Sequence, residues 1–219
     1  MSILEKKSIL YTNEKACSNV LEFYLLTTKL KEMIRTGWKH WNVDKDRLES
    51  VAEHIYGVSM LAIAMNSEFS YDIDISRVIM MIAVHELEEI EISDITPFQG
   101  ISPEEKKNAG HKAIRQILSP LVDAEFYIEL IEEFDERETN EAKFAYQCDK
   151  LEADLMACKY DNECNVGYDN ADDILKSSKN LQDFVEKGAK TMSEFFYLYD
   201  REKYDENFRN VLEGLLFNR

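Results

Sequence analysis

The stretch from Ile75 to Ile92, ISRVIMMIAVHELEEIEI, is the part of the sequence that decides the fold. Its first half is almost continuously apolar, whereas its second half carries one histidine and four glutamates. The length and the absence of Gly and Pro predict a single helix over this range. An acidic helix end is often solvated, but here the apolar half drives the helix into the core. We therefore expect the carboxylates to line a cleft.

The composition of the whole chain is typical of helices joined by short turns. Only 7 Gly and 3 Pro interrupt 219 residues, and helix-forming residues dominate the long stretches. We predict an all-α fold, with a single helical domain over residues 1–219 because no stretch resembles a linker. Helices are expected over residues 14–34, 50–65, 75–92, 102–118, 123–134 and 141–160, with two or three closing amphipathic helices over about 174–217.

Two capping boxes mark helix starts. Ser50 and Glu53, and likewise Ser102 and Glu105, have the Ser-x-x-Glu spacing in which cap and third residue satisfy each other's backbone N–H groups. The helix after Ser50 has an apolar stripe at helical spacing, formed by Val51, Ile55, Val58, Leu61, Ala62 and Met65. Residues 35–50 show neither helical nor strand periodicity and are predicted to form an ordered loop.

Histidines next to carboxylates are the candidates for chemistry. The chain has four His, and a lone histidine on an apolar helix face is usually a hydrogen-bonded core residue. His54 and His85 differ because carboxylates accompany them: Glu86 and Glu89 follow His85, and Asp94 lies in the turn after the helix. His40 could line a pocket in the aromatic loop, and His111 is expected to be exposed. We include neither in the predicted site.

Four motifs occur in a fixed order between residues 35 and 152. They are R35-T-G-W38, E49-S-V-A-E-H54, H85-E-L-E-E89 with S93-D-I-T-P97, and E141-A-K-F144 with D149-K-L-E152. This pattern resembles that of the HD-domain phosphohydrolases, and more closely their 5'-deoxynucleotidase branch. The resemblance implies an HD-type helical bundle. Two positions depart from the family pattern: Glu86 stands where the family has Asp, and Ser93 where Gly is usual.

The resemblance also implies the roles of individual residues. One divalent transition metal cation (Mn, Co, Zn, Fe or Ni) would be bound by His54, His85, Glu86 and Asp149. Such an N/O ligand set leaves positions open for water and substrate. By position, catalysis would fall to Glu89 and Asp94, and substrate binding to Arg35 at the phosphate and Trp38 at the sugar or base.

Simpler interpretations stay open for the substrate-binding residues. Arg35 could act only as a cation at a helix C-terminus, and Trp38 could be a packed loop anchor. Lys143 and Lys150 could contact a phosphate, although a solvated helix face is the simpler interpretation of both.

The leading functional hypothesis is hydrolysis of (deoxy)nucleoside 5'-monophosphates to nucleoside and phosphate. One alternative changes the substrate to another small phosphate ester or a nucleotide polyphosphate, because Glu86 departs from the family pattern. Others are a catalytically silent nucleotide-binding or interaction module, and an acidic helical scaffold without a ligand.

Charge and hydropathy restrict partners and location. The formal net charge of −17 would repel duplex nucleic acid, and no apolar run is long enough for a membrane span. The four cysteines lack a CxxC pair, and the first residues lack a signal-peptide pattern, so we expect a reduced, cytoplasmic protein. The terminal amphipathic helices either complete the core or form a homodimer, and the resemblance favours the dimer.

Overall fold

The computed structural model describes residues 3–94, 96 and 100–217. Across these ranges the regular structure is helical, with two isolated β-bridges and no sheet, so the all-α prediction is confirmed. The α-helices are α1 (Ile3–Thr27), α2 (Thr36–His40), α3 (Val51–Phe69), α4 (Ile75–Val84), α5 (Glu89–Ile92), α6 (Pro103–Leu118), α7 (Ala124–Glu136), α8 (Asn140–Cys164), α9 (Asp173–Ser177), α10 (Lys179–Glu186), α11 (Met192–Asp200) and α12 (Glu206–Leu216).

Helix α8 is the centre of the molecule. It packs against α3, α4, α7, α11 and α12, and its buried apolar side chains belong to three hydrophobic clusters. In one cluster, Leu151 and Cys148 pack with Val58 of α3 and Phe208 of α12. In a second, Ala157 packs with Trp38 of α2. The close packing of α3 on α8 brings polar side chains of both helices together at a buried site.

Both predicted capping boxes are present. The Ser50 hydroxyl accepts from the Glu53 backbone N–H while the Glu53 carboxylate accepts from the Ser50 N–H, and Ser102 with Glu105 repeats the arrangement. These contacts fix the start of α3 and of α6. The stripe after Ser50 faces the core as predicted, with Val51, Val58, Ala62 and Met65 buried and Ile55 and Leu61 partly buried.

The prediction of one continuous helix over residues 75–92 is wrong, because the helix is interrupted at residues 85–88. Helix α4 ends at Val84, and residues 85–88 form tight turns before α5 begins at Glu89. Short bonds within these turns, such as that from the Leu87 N–H to the Val84 carbonyl, replace the α-helical ladder. Consecutive residues of an unbroken α-helix point about 100° apart. The break therefore lets His85 and Glu86 face the same site.

The predicted loop over residues 35–50 contains α2, which the sequence did not reveal. The Asp94 carboxylate accepts a hydrogen bond from the Thr36 backbone N–H, so a residue far along the chain stabilises the start of this short helix. The other end of the loop is tied back by an antiparallel bridge between Ile34 and Ser50. The Arg35 N–H donates to the Glu49 carbonyl at 3.0 Å. These contacts hold Arg35 beside the start of α3.

The ends of the chain also depart from the prediction. Helix α1 covers Ile3–Thr27, and a 3₁₀ turn, Thr28–Lys31, replaces the last part of the predicted helix over 14–34. Helix α8 runs four residues further than predicted, to Cys164. Residues 173–216 form α9 to α12 rather than two or three helices. Within the described residues, no helix is long and apolar enough to cross a membrane.

Candidate active site

The structure brings together the four residues predicted to bind a metal. His54 comes from α3, His85 and Glu86 from the turn after α4, and Asp149 from α8, and all four are buried. One nitrogen or oxygen of each lies within 4.8 Å of the other three. Asp149 Oδ1 is 2.9 Å from His54 Nε2 and 3.7 Å from His85 Nε2. Glu86 Oε1 is 3.7 Å from each of these nitrogens.

These distances fit a single cation. Ligand atoms about 2.1 Å from one ion lie roughly 3.0–4.2 Å apart for bond angles between 90° and 180°. The four separations of 2.9 to 3.7 Å fall at or close to this range. Glu86, although one methylene longer than the family's Asp, places an oxygen where a ligand atom is needed.

The hydrogen bonds of both histidines leave the same nitrogen for the cation. His54 Nδ1 donates to Glu152 Oε2 at 2.6 Å, and His85 Nδ1 donates to the Ile82 carbonyl at 2.8 Å. Each bond favours the neutral tautomer in which Nε2 carries a lone pair for a cation. In the structure, His54 Nε2 makes a hydrogen-bond contact with Asp149 Oδ1. His85 Nε2 is buried and has no hydrogen-bond partner among the described residues. An orphaned imidazole nitrogen facing two carboxylates has the chemistry of a metal ligand.

The electrostatics of the cluster also favour a cation. Burial and Arg35 oppose a charge on His54, but Asp149 and Glu152 nevertheless raise its pKa to about 9. Burial opposes the ionised form of Asp149, but Lys150 and the two imidazoles hold its pKa well below its usual range. Asp149 thus remains ionised beside a His54 that holds a proton. A divalent ion bound between them would take the place of that proton.

The two predicted catalytic residues, Glu89 and Asp94, line the same cavity as Glu86 of the cluster. Glu89 is buried, and its Oε1 accepts from Lys106 Nζ at 3.1 Å. Burial, and then the neighbouring Glu86, raise the pKa of Glu89 to about 9. Asp94 is bonded to the Thr36 N–H and lies 3.8 Å from Arg35 Nη1.

The turn that holds Asp94 carries backbone strain. Ser93 has φ 67° and ψ 161°, a region that is essentially restricted to glycine. This is the position where the family pattern has Gly. Ile95 and Pro97 of the same predicted motif lie outside the described residues.

Arg35 and Trp38, the predicted substrate-binding residues, both line the cavity. Arg35 Nη1 donates to Glu86 Oε1 at 2.8 Å. The guanidinium group predicted to hold the substrate phosphate therefore lies next to Glu86, the residue that stands where the family pattern has Asp. Trp38 is almost fully buried, donates from Nε1 to Glu49 Oε2 at 2.9 Å and stacks on Phe196. Trp38 is therefore at least the packed loop anchor of the simpler interpretation.

Three charged residues have contacts that the sequence analysis did not assign. Glu152 orients His54, and its position three residues after Asp149, on the same helix face, was the available signal. Lys150 was interpreted as part of a solvated face, but its Nζ lies 2.8 Å from Asp149 Oδ2 and it lines the cavity. Lys106 had no sequence signal for its pairing with Glu89. Lys143 is exposed, as the simpler interpretation expects.

The two remaining histidines are both paired with aspartates. His40 is buried, borders the cavity and contacts Asp172 at 2.7 Å. His111 contacts Asp135 at 2.7 Å with 28% of its side chain exposed. His111 is thus partly buried rather than exposed on a polar helix, because Asp135 of α7 packs next to it.

The cavity has a volume of about 550 Å³, within the range of small-molecule sites. Its lining combines charged side chains, among them Glu86, Glu89 and Asp94, with aromatic and aliphatic side chains that include Trp41 and Phe184. Such a mixed lining suits a molecule with one anionic group and one flat or apolar group.

Comparison with known proteins agrees with this architecture. A family model described as HD domain matches residues 27–192. The 5'-deoxynucleotidase HDDC2 of Bos taurus is 31% identical over 178 residues, covering 80% of this chain and 78% of the relative. The protein of the same name from Homo sapiens is 32% identical over 174 residues, covering 78% of this chain and 77% of the relative.

Solved structures share the fold. A conserved hypothetical protein from Pyrococcus furiosus superposes with a TM-score of 0.64 at 26% identity, covering 90% of this chain and 99% of its own. A protein from Magnetospirillum magnetotacticum MS-1, described as a predicted metal-dependent phosphohydrolase, gives a TM-score of 0.65 at 20% identity over 93% of this chain and 95% of its own. The latter likeness concerns the fold alone. The family match over most of the chain, together with relatives more than 30% identical, shows that this protein belongs to the HD domain family.

Proposed function

We propose that this protein is a metal-dependent 5'-nucleotidase that hydrolyses deoxynucleoside 5'-monophosphates to nucleoside and phosphate. One observation carries the proposal: two buried imidazoles present Nε2 towards two buried carboxylates, and one of these carboxylates, Glu86, lines a nucleotide-sized cavity. The 5'-deoxynucleotidase names of the similar proteins from cattle and human support the same reaction.

His54, His85, Glu86 and Asp149 would hold one divalent transition metal ion, with Mn, Co, Zn, Fe and Ni as candidates. When bound, such an ion lowers the pKa of a coordinated water and polarises a phosphoryl oxygen. Glu152 supports this site because it fixes the His54 tautomer.

The remaining roles follow from charge and position. Arg35 pairs with the substrate phosphate as a charge-assisted donor. In the reaction a water oxygen bonds to phosphorus, the bond from phosphorus to the sugar O5' breaks, and O5' takes up a proton. Glu89 is suited to supply that proton, because its raised pKa keeps it protonated at neutral pH. Asp94, as a neighbouring carboxylate, would orient the water, and Trp38 would form part of the wall beside the sugar.

The test is phosphate release from a panel of ribo- and deoxyribonucleoside 5'-monophosphates, nucleoside triphosphates and simple sugar phosphates, each with Mn, Co, Zn, Ni and Mg. We expect release from deoxynucleoside monophosphates with at least one transition metal. His54→Ala should abolish it, whereas His111→Ala, which alters a paired histidine outside the cluster, should not. Release only from another ester or from triphosphates would replace the substrate class. No release in any combination would favour the silent binding module.

We further propose that the chain forms a homodimer through α1. One face of α1 carries four apolar side chains that are 55–62% exposed. They form two pairs one helical turn apart, Val20 with Tyr24 and Leu21 with Leu25. In the described part of the chain, these side chains do not complete the core. A contiguous apolar helix face of this kind is typical of a subunit interface. The solution mass should be that of two chains.

Three further proposals concern the domain organisation, the location and the binding of nucleic acid. The chain is one domain, since α12 at its end shares a hydrophobic cluster with α3 and α4. It is cytoplasmic, in keeping with four free cysteines, two of them buried. It does not bind duplex nucleic acid, because its net charge is strongly negative.

A further inference from the structure

His40 combines burial, a fixed tautomer and a position at the cavity, and neither the metal cluster nor the proposed hydrolysis uses it. Its residue exposure is 7%, and its Nε2 is buried without a hydrogen-bond partner among the described residues. A buried ring nitrogen without a partner is uncommon in folded proteins and usually marks a bound water, an ion or a ligand. His40 borders the main cavity, so a ligand there could supply the missing partner.

Asp172 holds the His40 ring in one orientation. Its Oδ2 lies 2.7 Å from His40 Nδ1, and its Oδ1 accepts from the Leu175 N–H at the start of α9. Its own backbone N–H donates to the His40 carbonyl at 2.8 Å. Because an ionised carboxylate can only accept, Nδ1 of the neutral ring carries the proton and Nε2 is an acceptor. The ring is therefore preorganised to accept a hydrogen bond.

The surroundings of His40 indicate the kind of group that would donate. Trp41, Leu175 and Leu181 line the same cavity as His40 and belong to one hydrophobic cluster. His40 itself lines this cavity, whereas Asp172, its partner at Nδ1, does not. Apolar and aromatic walls beside a buried acceptor suit a flat heterocycle with an N–H group, rather than a phosphate.

We infer that His40 is a specificity-determining residue that accepts a hydrogen bond from an N–H group of the substrate's nucleobase. This inference rests on the proposed function, because it takes the substrate to be a nucleotide with its phosphate at the metal cluster. It assigns the aromatic and aliphatic part of the cavity lining to the base. Since Nε2 in this tautomer accepts but does not donate, the site distinguishes bases by the N–H they present.

The test compares matched pairs of substrates. One pair is deoxyadenosine 5'-monophosphate and its analogue without the exocyclic amino group. The other is thymidine 5'-monophosphate and its analogue methylated at the ring N–H. In the wild type, the analogue that lacks the N–H should lose about tenfold in kcat/KM for at least one pair, the usual effect of an unpaired buried acceptor. Nucleoside binding is measured in parallel by the fluorescence of Trp38 and Trp41, a readout independent of turnover.

Two substitutions separate recognition from folding. His40→Asn keeps a donor towards Asp172 but removes the atom at Nε2, so both members of each pair should react and bind alike. Asp172→Asn keeps the oxygen that caps α9 but places an amide donor opposite His40 Nδ1. The ring then carries its proton on Nε2, which becomes a donor, so the preference for a base with an N–H group should disappear. His111→Gln keeps the donor that faces Asp135 outside the cavity and should retain the wild-type preference. Thermal unfolding confirms that each variant is folded.

The outcomes distinguish the inference from the function on which it rests. A wild type that discriminates within a pair, with loss of discrimination in folded H40N, supports the role of His40. Equal rates and affinities for both members of each pair in the wild type, or unchanged discrimination in H40N, would overturn it and assign Nε2 to a structural water. If the wild type neither binds nucleosides nor hydrolyses nucleotides, the proposed function itself fails.

Discussion

Gly57→Ala should weaken metal binding without touching a metal ligand. Gly57 lies in α3, one turn after His54, and a β-carbon there would lie 2.4 Å from Glu152 Oε1 and 3.0 Å from its Cδ. Glu152 is buried and held by His54 Nδ1 at 2.6 Å, so it can make room only by breaking that bond. Loss of such a supporting carboxylate typically lowers metal affinity 10- to 100-fold. We expect an affinity loss of about that size.

The assay is competition with a chromophoric chelator, using Mn or Zn and monitoring phosphate release in parallel. Gly214→Ala in α12 is the matched control, because no atom lies within 4 Å of its β-carbon. This control should bind metal like the wild type and gain about 0.5–1 kcal/mol of stability from the loss of a helical glycine. A G57A protein that binds metal within twofold of the wild type would refute the role given to Glu152.

Four further predictions concern single residues. Glu86→Asp shortens the side chain that bonds Arg35 at 2.8 Å; the released guanidinium should lower KM for the nucleotide several-fold, and a higher KM would contradict this. Ser93→Gly relieves the strained backbone and should raise stability to urea by about 1 kcal/mol; an unchanged midpoint would speak against the strain. The pKa of Glu89 in the folded protein, about 9, exceeds its ordinary value of 4.5. The metal-free wild type should therefore lose stability as the pH rises from 4.5 to 9, whereas E89Q should not lose this contribution. Parallel curves of stability against pH for the two proteins would be inconsistent with the raised pKa. Leu25→Glu on α1 should convert the dimer to a monomer in light scattering, and a mass of one chain for the wild type would rule out the dimer.

Local signals carried most of the fold that could be predicted. The capping boxes at Ser50 and Ser102 depend on residues three positions apart, and they define α3 and α6 as expected. The apolar stripe of α3 also depends only on helical spacing. By contrast, the start of α2 depends on Asp94, which accepts a hydrogen bond from the Thr36 N–H although it lies 58 residues further along the chain. A single sequence gives no direct measure of such a contact.

The candidate site shows the same difference between residues with a motif in the sequence and residues that only long-range contacts bring to the site. The motifs of the resemblance named His54, His85, Glu86 and Asp149, and these residues meet in the structure. Sequence reasoning did not assign the groups that tune them. Lys106 reaches Glu89 only because α6 packs against α5.

His40 shows the limit most clearly. Its partner, Asp172, is 132 positions away, between the predicted helices over 141–160 and 174–217. The imidazole had no motif around it, and its buried, unpaired nitrogen becomes visible only when both segments are placed against the cavity.

The most direct test of a metal-dependent active site is the number of transition metal ions bound per chain, measured by mass spectrometry after reconstitution and removal of excess ion. We expect about one ion per chain in the wild type and in His111→Ala, and none in His54→Ala. A reconstituted wild type that retains no metal would contradict this expectation.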